Sequence, residues 1–147
     1  MSSIKMMNVK LIKLFLRLSL GAGFISAVAD RFGFWSKEVS AWGNWQNFLA
    51  YTQSLNPLIP QSIIPFVGWA ATSLEIIFGL CLIIGFKTCL FAKLSGWLLL
   101  IFALAMAFSR DIKAPLDYSV FAASAAAFAL SLIKEKFLEV DALKRNN

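Results

Sequence analysis

Three stretches of the chain stay apolar for the length of a helix. Ile63 to Phe86 carries only Glu75, Leu94 to Ser109 carries no charge, and Tyr118 to Ile133 is charge-free between Asp117 and Lys134. A hydrocarbon core of roughly 30 Å needs about 20 helical residues, so each stretch with its flanks predicts a membrane span. A fourth candidate begins near Leu11 and includes Lys13 and Arg17. Its uncharged part, Leu18 to Ala29, is short enough for a signal-peptide core, and Ala27-Val28-Ala29 reads as a small-residue cleavage site. Two features point to retention instead. Arg17 lies within snorkelling reach of a membrane surface, and apolar character resumes after Asp30 and Arg31 in Phe32, Phe34 and Trp35. The predicted spans are about 11–34, 63–86, 90–109 and 115–133, within a single domain, 1–147.

Between the first two spans, Trp45, Phe48, Leu49, Thr52 and Leu55 recur at helical spacing. They predict a short helix, about 44–55, lying in the outer interface with its aromatic face among the headgroups. A lid over a ligand cavity is the alternative. Pro57, Pro60 and Pro65 then break the chain before the second span. The other links, at Lys87-Thr88 and Arg110 to Asp117, are short and favour antiparallel neighbours. The expected fold is therefore an all-α integral membrane protein, a four-transmembrane-helix antiparallel bundle with a short interfacial outer helix.

Composition agrees with this class. Of 147 residues, 59% are hydrophobic, and the mean hydropathy of +0.73 lies outside the soluble globular range. With four spans, one side holds Lys5, Lys10, Lys13, Arg17, Lys87, Lys93, Lys134, Lys136, Lys144 and Arg145, and the other only Arg31, Lys37, Arg110 and Lys113. That asymmetry predicts cytoplasmic termini. The net charge of +6 is then a topology signal directed at the bilayer, and nucleic-acid binding is not needed to explain it.

Among polar residues within the spans, Glu75 is the most informative. It sits about 16 to 18 Å along the axis from either end of its span, too deep to snorkel. A carboxylate there must be protonated, paired or beside a wet cavity. Gly68, Ala71, Thr72 and Gly79 share its helical face, which predicts that it points inward; its bland role is interhelical glue. Ser19, Gly23 and Ala27 form a small-residue stripe that continues to Asp30 and predicts a packing seam. Asp117, Ser124 and Ser131 form a polar line on the fourth span. If these seams face one another, Asp30, Arg31, Arg110, Lys113 and Asp117 gather at the outer mouth above Glu75. They are then either solvated turn residues or a vestibule for a molecule with a polar head and an apolar body, such as a quinone.

There is no histidine, so the usual haem and metal ligands are missing. Cys81 and Cys89 lack the spacing of a thiol–disulfide catalyst, and no phosphate loop or hydrolytic nucleophile motif occurs. No metal or intrinsic cofactor is expected, and the polar residues could bind or relay protons but not carry electrons.

The segments LRLSLGAGFISAVADRFGFW, GWAATSLEIIFGLCLIIGF and SRDIKAPLDYSVF resemble the DoxX family of small bacterial membrane proteins, over about Leu11 to Leu132. The resemblance implies a retained first helix, a four-helix bundle in the bacterial inner membrane and a respiratory or redox context. Arg17, Asp30 and Glu75 match the family's recurring polar sites, without defined chemical roles. The expected function is an accessory subunit of a quinone-linked redox system, with Glu75, Asp30, Arg31 and Asp117 shaping a quinone or proton site and with bound quinone or a cofactor-bearing redox-protein partner needed for electron transfer; the expected partners are the lipid bilayer and either that redox protein or further copies of the chain in a homo-oligomer. Stand-alone oxidase catalysis is not expected. An assembly module that docks another membrane protein, and a small-solute carrier, are the alternatives.

Overall fold

A computed structural model describes residues 3–143 of the chain. Every regular element among them is helical: α1 (Ser3–Arg31), α2 (Trp45–Leu55), α3 (Ile64–Ile84) preceded by a 3-10 turn (Gln61–Ile63), α4 (Thr88–Ser109), α5 (Lys113–Asp117), α6 (Val120–Leu132) and α7 (Val140–Leu143). Lys144 and Arg145, counted above among the cations of one side, lie outside the described residues.

Three helices are long and apolar enough to cross a membrane: α1, α3 with its preceding turn, and α4, of 29, 24 and 22 residues. They measure about 43, 36 and 33 Å at 1.5 Å per residue. The fourth predicted span is shorter than expected. A break at Ser119, whose φ of 55° is left-handed, separates α5 from α6. Asp117, Tyr118 and Ser119 are all weak helix formers, and what remains is an apolar helix of 13 residues, about 20 Å long.

α1 packs on α3, α3 on α4, α4 on α6 and α6 back on α1. Phe24, Phe78, Leu82, Ala92, Leu98 and Leu130 from these four helices form one buried cluster. The outward faces stay apolar, with Phe15, Phe66 and Phe108 exposed at 72%, 76% and 86%. So large an apolar surface suits contact with lipid or another protein, not water.

The seam on α1 differs from the one its small residues suggest. Its buried residues include Lys13, Arg17, Gly21, Phe24, Val28 and Arg31, one stripe at spacings of three and four. Gly21 meets Gly79 of α3 so closely that a Cβ on Gly21 would lie 2.9 Å from the Gly79 carbonyl oxygen and 2.6 Å from Ile83 Cγ1. Gly23, by contrast, is exposed, and a Cβ there would meet nothing within 4 Å. Gly21→Ala is therefore expected to destabilise the protein by about 1–2 kcal/mol by forcing α1 and α3 apart. Gly23→Ala should be neutral, or gain up to about 1 kcal/mol of helix propensity. Unfolding of the two variants side by side in detergent micelles checks the contrast.

α2 begins where Asn44 Oδ1 accepts the Asn47 N–H at 2.8 Å, an N-cap. Its Phe48 and Thr52 are buried. The absence of a side chain at Gly68 of α3 makes room for Trp45, Phe48 and Leu49. The aromatic face of α2 thus turns in against α3, where the simple interface-anchor reading would turn it toward headgroups. At the other end of α3, Gly85 (φ 73°) and Lys87 (φ 43°) make the tight turn into α4.

Candidate functional site

At the C-terminal end of α1, the Arg31 side chain enters the helix pack and makes an ion pair, through Nη1, with Glu75 Oε2 of α3. The two side chains are 3% and 4% exposed. Nη1 also donates to Thr72 Oγ1 at 2.8 Å, so the hydroxyl one helical turn before the acid completes a polar triad. The guanidinium is roofed by aromatic rings: its Cζ lies 4.0 Å from the centroid of Phe48 and 5.3 Å from that of Trp42. Both lie within the roughly 6 Å over which a ring face attracts a cation. One donor is left over. Arg31 Nε is buried and has no hydrogen-bond partner among the described residues. An N–H in that position normally finds an acceptor.

Asp30, the neighbour of Arg31, serves a different purpose. Its carboxylate accepts from Ser40 Oγ and from the backbone N–H groups of Ala41 at 3.0 Å and Trp42 at 2.8 Å. It is 6% exposed. Asp30 thus folds the loop after α1 back onto the helix and sets Trp42 over Arg31.

The single mouth cluster drawn from the sequence divides into separate groups. Asp117 is exposed and pairs with Lys113 along α5, and it makes no described contact with Arg31 or Glu75. Asp111 caps α5 by accepting the Ala114 N–H at 3.0 Å. Arg110 reaches α2 instead, donating to Ser54 Oγ at 3.3 Å and lying over Tyr51 at 5.1 Å. Nor is the polar line on α6 a route inward. Ser124 Oγ donates to the Gly96 carbonyl at 2.8 Å, tying α6 to α4, and Ser131 Oγ donates to Phe128 O at 2.6 Å within its own helix. Of the four predicted site residues, Arg31 and Glu75 touch, Asp30 supports them through the loop, and Asp117 stands apart because α5 turns it outward.

A second buried polar group lies at the opposite end of α1. Arg17 does not snorkel; it is fully buried. Its Nε and Nη2 donate to the carbonyls of Leu82 (3.0 Å) and Ile83 (2.9 Å), and its Nη1 to those of Phe137 and Leu138 (both 3.0 Å). Lys13, one turn earlier, donates to Glu139 Oε1 at 2.8 Å and to Glu135 O at 2.6 Å. Thr88 Oγ1 donates to Glu139 Oε2 at 2.7 Å. Burial pushes the Glu139 carboxyl up, but hydrogen bonds from Lys13, Thr88 and the Phe137 N–H outweigh it and hold the group below the usual carboxylate range. Asp141 accepts from the Lys87 and Thr88 N–H groups at 2.9 and 3.0 Å, capping α4. Every member of this group holds a structural bond, so it reads as a clasp rather than a binding site. Lys13 and Arg17 lie four apart on the Gly21 face; that spacing was the available signal, masked by the habit of placing cations outside.

Among the described residues, no group of three His, Cys, Asp or Glu side chains is placed to hold a metal ion. No family model, curated protein or solved structure matches the chain.

Proposed function

We propose that the chain is an accessory subunit of a quinone-linked redox system in a bacterial inner membrane, and that the Arg31–Glu75 pair receives the polar head of the quinone or relays its protons. One observation carries this reading: an ion pair buried between two long apolar helices, beneath two aromatic rings, in which a guanidinium N–H, Arg31 Nε, lacks an acceptor. Buried ionisable groups in apolar helices are costly and mark ligand or proton sites by default. A quinone carbonyl would supply the acceptor that Arg31 Nε lacks. The DoxX resemblance of the sequence supports the same context.

In this reading α1, α3, α4 and α6 are four antiparallel spans, α6 being extended across the membrane by its flanks. The contacts of Arg17 with Leu82, Gly21 with Gly79 and Arg31 with Thr72 support opposed directions for α1 and α3. The excess of Lys and Arg supports cytoplasmic termini, with the Arg31 end outside. Glu75→Gln, which keeps an acceptor for Arg31 but removes the charge, should leave the protein inserted and abolish quinone binding. Mass spectrometry of the mildly solubilised protein reads bound quinone and co-purifying partners together; full retention of quinone and redox coupling in the variant would overturn the proposal.

A second reading, an assembly module, is favoured by the open face at Gly23. It predicts a membrane-protein partner that survives Glu75→Gln and is lost with a bulky residue at Gly23.

A further inference from the structure

Beside α1, on the side away from α3, lies a groove of about 430 Å³. Its floor is the small-residue face of the helix, Gly23, Ser26 and Ala27, and its wall is the loop that follows, with Trp35, Val39 and Trp42. Its volume falls within the roughly 300–1,000 Å³ of small-molecule sites. Gly23 to Asp30 covers about 10 Å along the helix, so the groove runs down the outer part of the span.

Two anchors hold this wall in place. Trp35 Nε1 donates to the Ser26 carbonyl at 3.2 Å, pinning one indole across α1. Asp30 pins Ala41 and Trp42 at the other side. Trp42 is the shared element. One indole both lines the groove and lies over the Arg31 guanidinium, so a single ring separates an apolar channel beside α1 from the polar pair within the helix pack.

We infer that the groove is the lateral entrance for a lipid-soluble amphiphile, whose hydrocarbon tail lies along Gly23, Ser26 and Ala27 while its polar head passes Trp42 to reach Arg31. This rests on the reading of Arg31–Glu75 as the head site. Adjacency selects this occupant: Trp42, which lines the groove, is the ring that lies over Arg31. Gly23 is glycine because a larger side chain would fill the channel, not because a helix packs there. Asp30 lines the same groove and holds the backbone that sets Trp42.

The test compares a decyl-substituted benzoquinone with the same ring lacking the tail, by isothermal titration in detergent micelles, on the full chain and on Gly23→Leu and Glu75→Gln. Open space at Gly23 lets the leucine variant fold. Gly23→Leu should weaken the decyl compound by about tenfold, equivalent to displacing roughly two buried methylenes, and leave the tail-less ring unchanged. Glu75→Gln should weaken both. Unchanged decyl affinity in Gly23→Leu overturns the entrance while leaving the head site intact. Equal loss of both compounds in that variant overturns the tail assignment. If Gly23→Leu weakens the decyl compound but Glu75→Gln affects neither, the head site fails and the groove is a lipid crevice, not an entrance. If Gly23→Leu instead dissociates an oligomer without altering affinity, a second copy occupies the groove and the inference falls.

Discussion

Glu75→Leu is expected to destabilise the protein by about 3–5 kcal/mol, the range seen when one partner of a buried ion pair is removed and the other stays buried. Arg31 would keep its bond to Thr72 and its contacts with Phe48 and Trp42 but lose its counter-charge. The roof holds it in place: with Phe48 buried over the guanidinium, the side chain has no short path to water. Arg31→Met should cost a similar amount by leaving the carboxylate alone. Combining the two changes should recover at least half the loss, because an apolar pair of similar volume often matches or exceeds an ion pair in stability. Reversible unfolding in mixed micelles across the four proteins gives the coupling directly. Recovered stability without recovered quinone binding in the double variant would mean that the pair is kept for what it binds. Additive losses would mean that Arg31 and Glu75 stabilise the protein through separate contacts.

The other large effect is expected at Arg17. Its guanidinium satisfies four backbone carbonyls, two at the C-terminal end of α3 and two in the segment before α7. A buried acceptor left without a donor costs about 1–3 kcal/mol, and a cation at a helix C-terminus adds favourable dipole interaction. The Phe137 and Leu138 carbonyls can turn toward solvent once released, so Arg17→Met should cost about 3–5 kcal/mol, below the sum of four separate bonds. Arg17→Lys should recover only part, since a point-like ammonium cannot reproduce the planar fork. The same unfolding assay measures the loss, and limited proteolysis locates it: cleavage within residues 133–143 should rise in Arg17→Met while the loop at 35–44 stays unaffected.

Helices were legible because the signal is long and cooperative. Runs such as Ile63 to Phe86 have only one low-energy option in an apolar setting, and α3 lies within the predicted bounds. Glu75 stood out for the same reason, a lone charge in an apolar run. Which face of α1 packs was less legible. Ser19, Gly23 and Ala27 offered a clean small-residue stripe, whereas the stripe that packs on α3 contains one glycine and three cations. A cation counts as polar in any periodicity argument until its acceptors are known, and those of Lys13 and Arg17 lie up to 126 residues away. Asp117 was misplaced by one local event, the left-handed turn at Ser119, which decouples α5 from α6. The role of Asp30 was hidden because most of its partners are backbone N–H groups, which no side-chain pattern reveals.

The clasp at the Lys13 end also sets an order of events during synthesis. Lys13 and Arg17 leave the ribosome 120 to 126 residues before their acceptors Glu135, Phe137, Leu138 and Glu139. Until then α1 carries two cations, Lys13 and Arg17, whose acceptors in residues 135–139 do not yet exist. Those bonds close only when residues 135–139 have been made, and their arrival is thereby expected to be the step that locks α1 in its place.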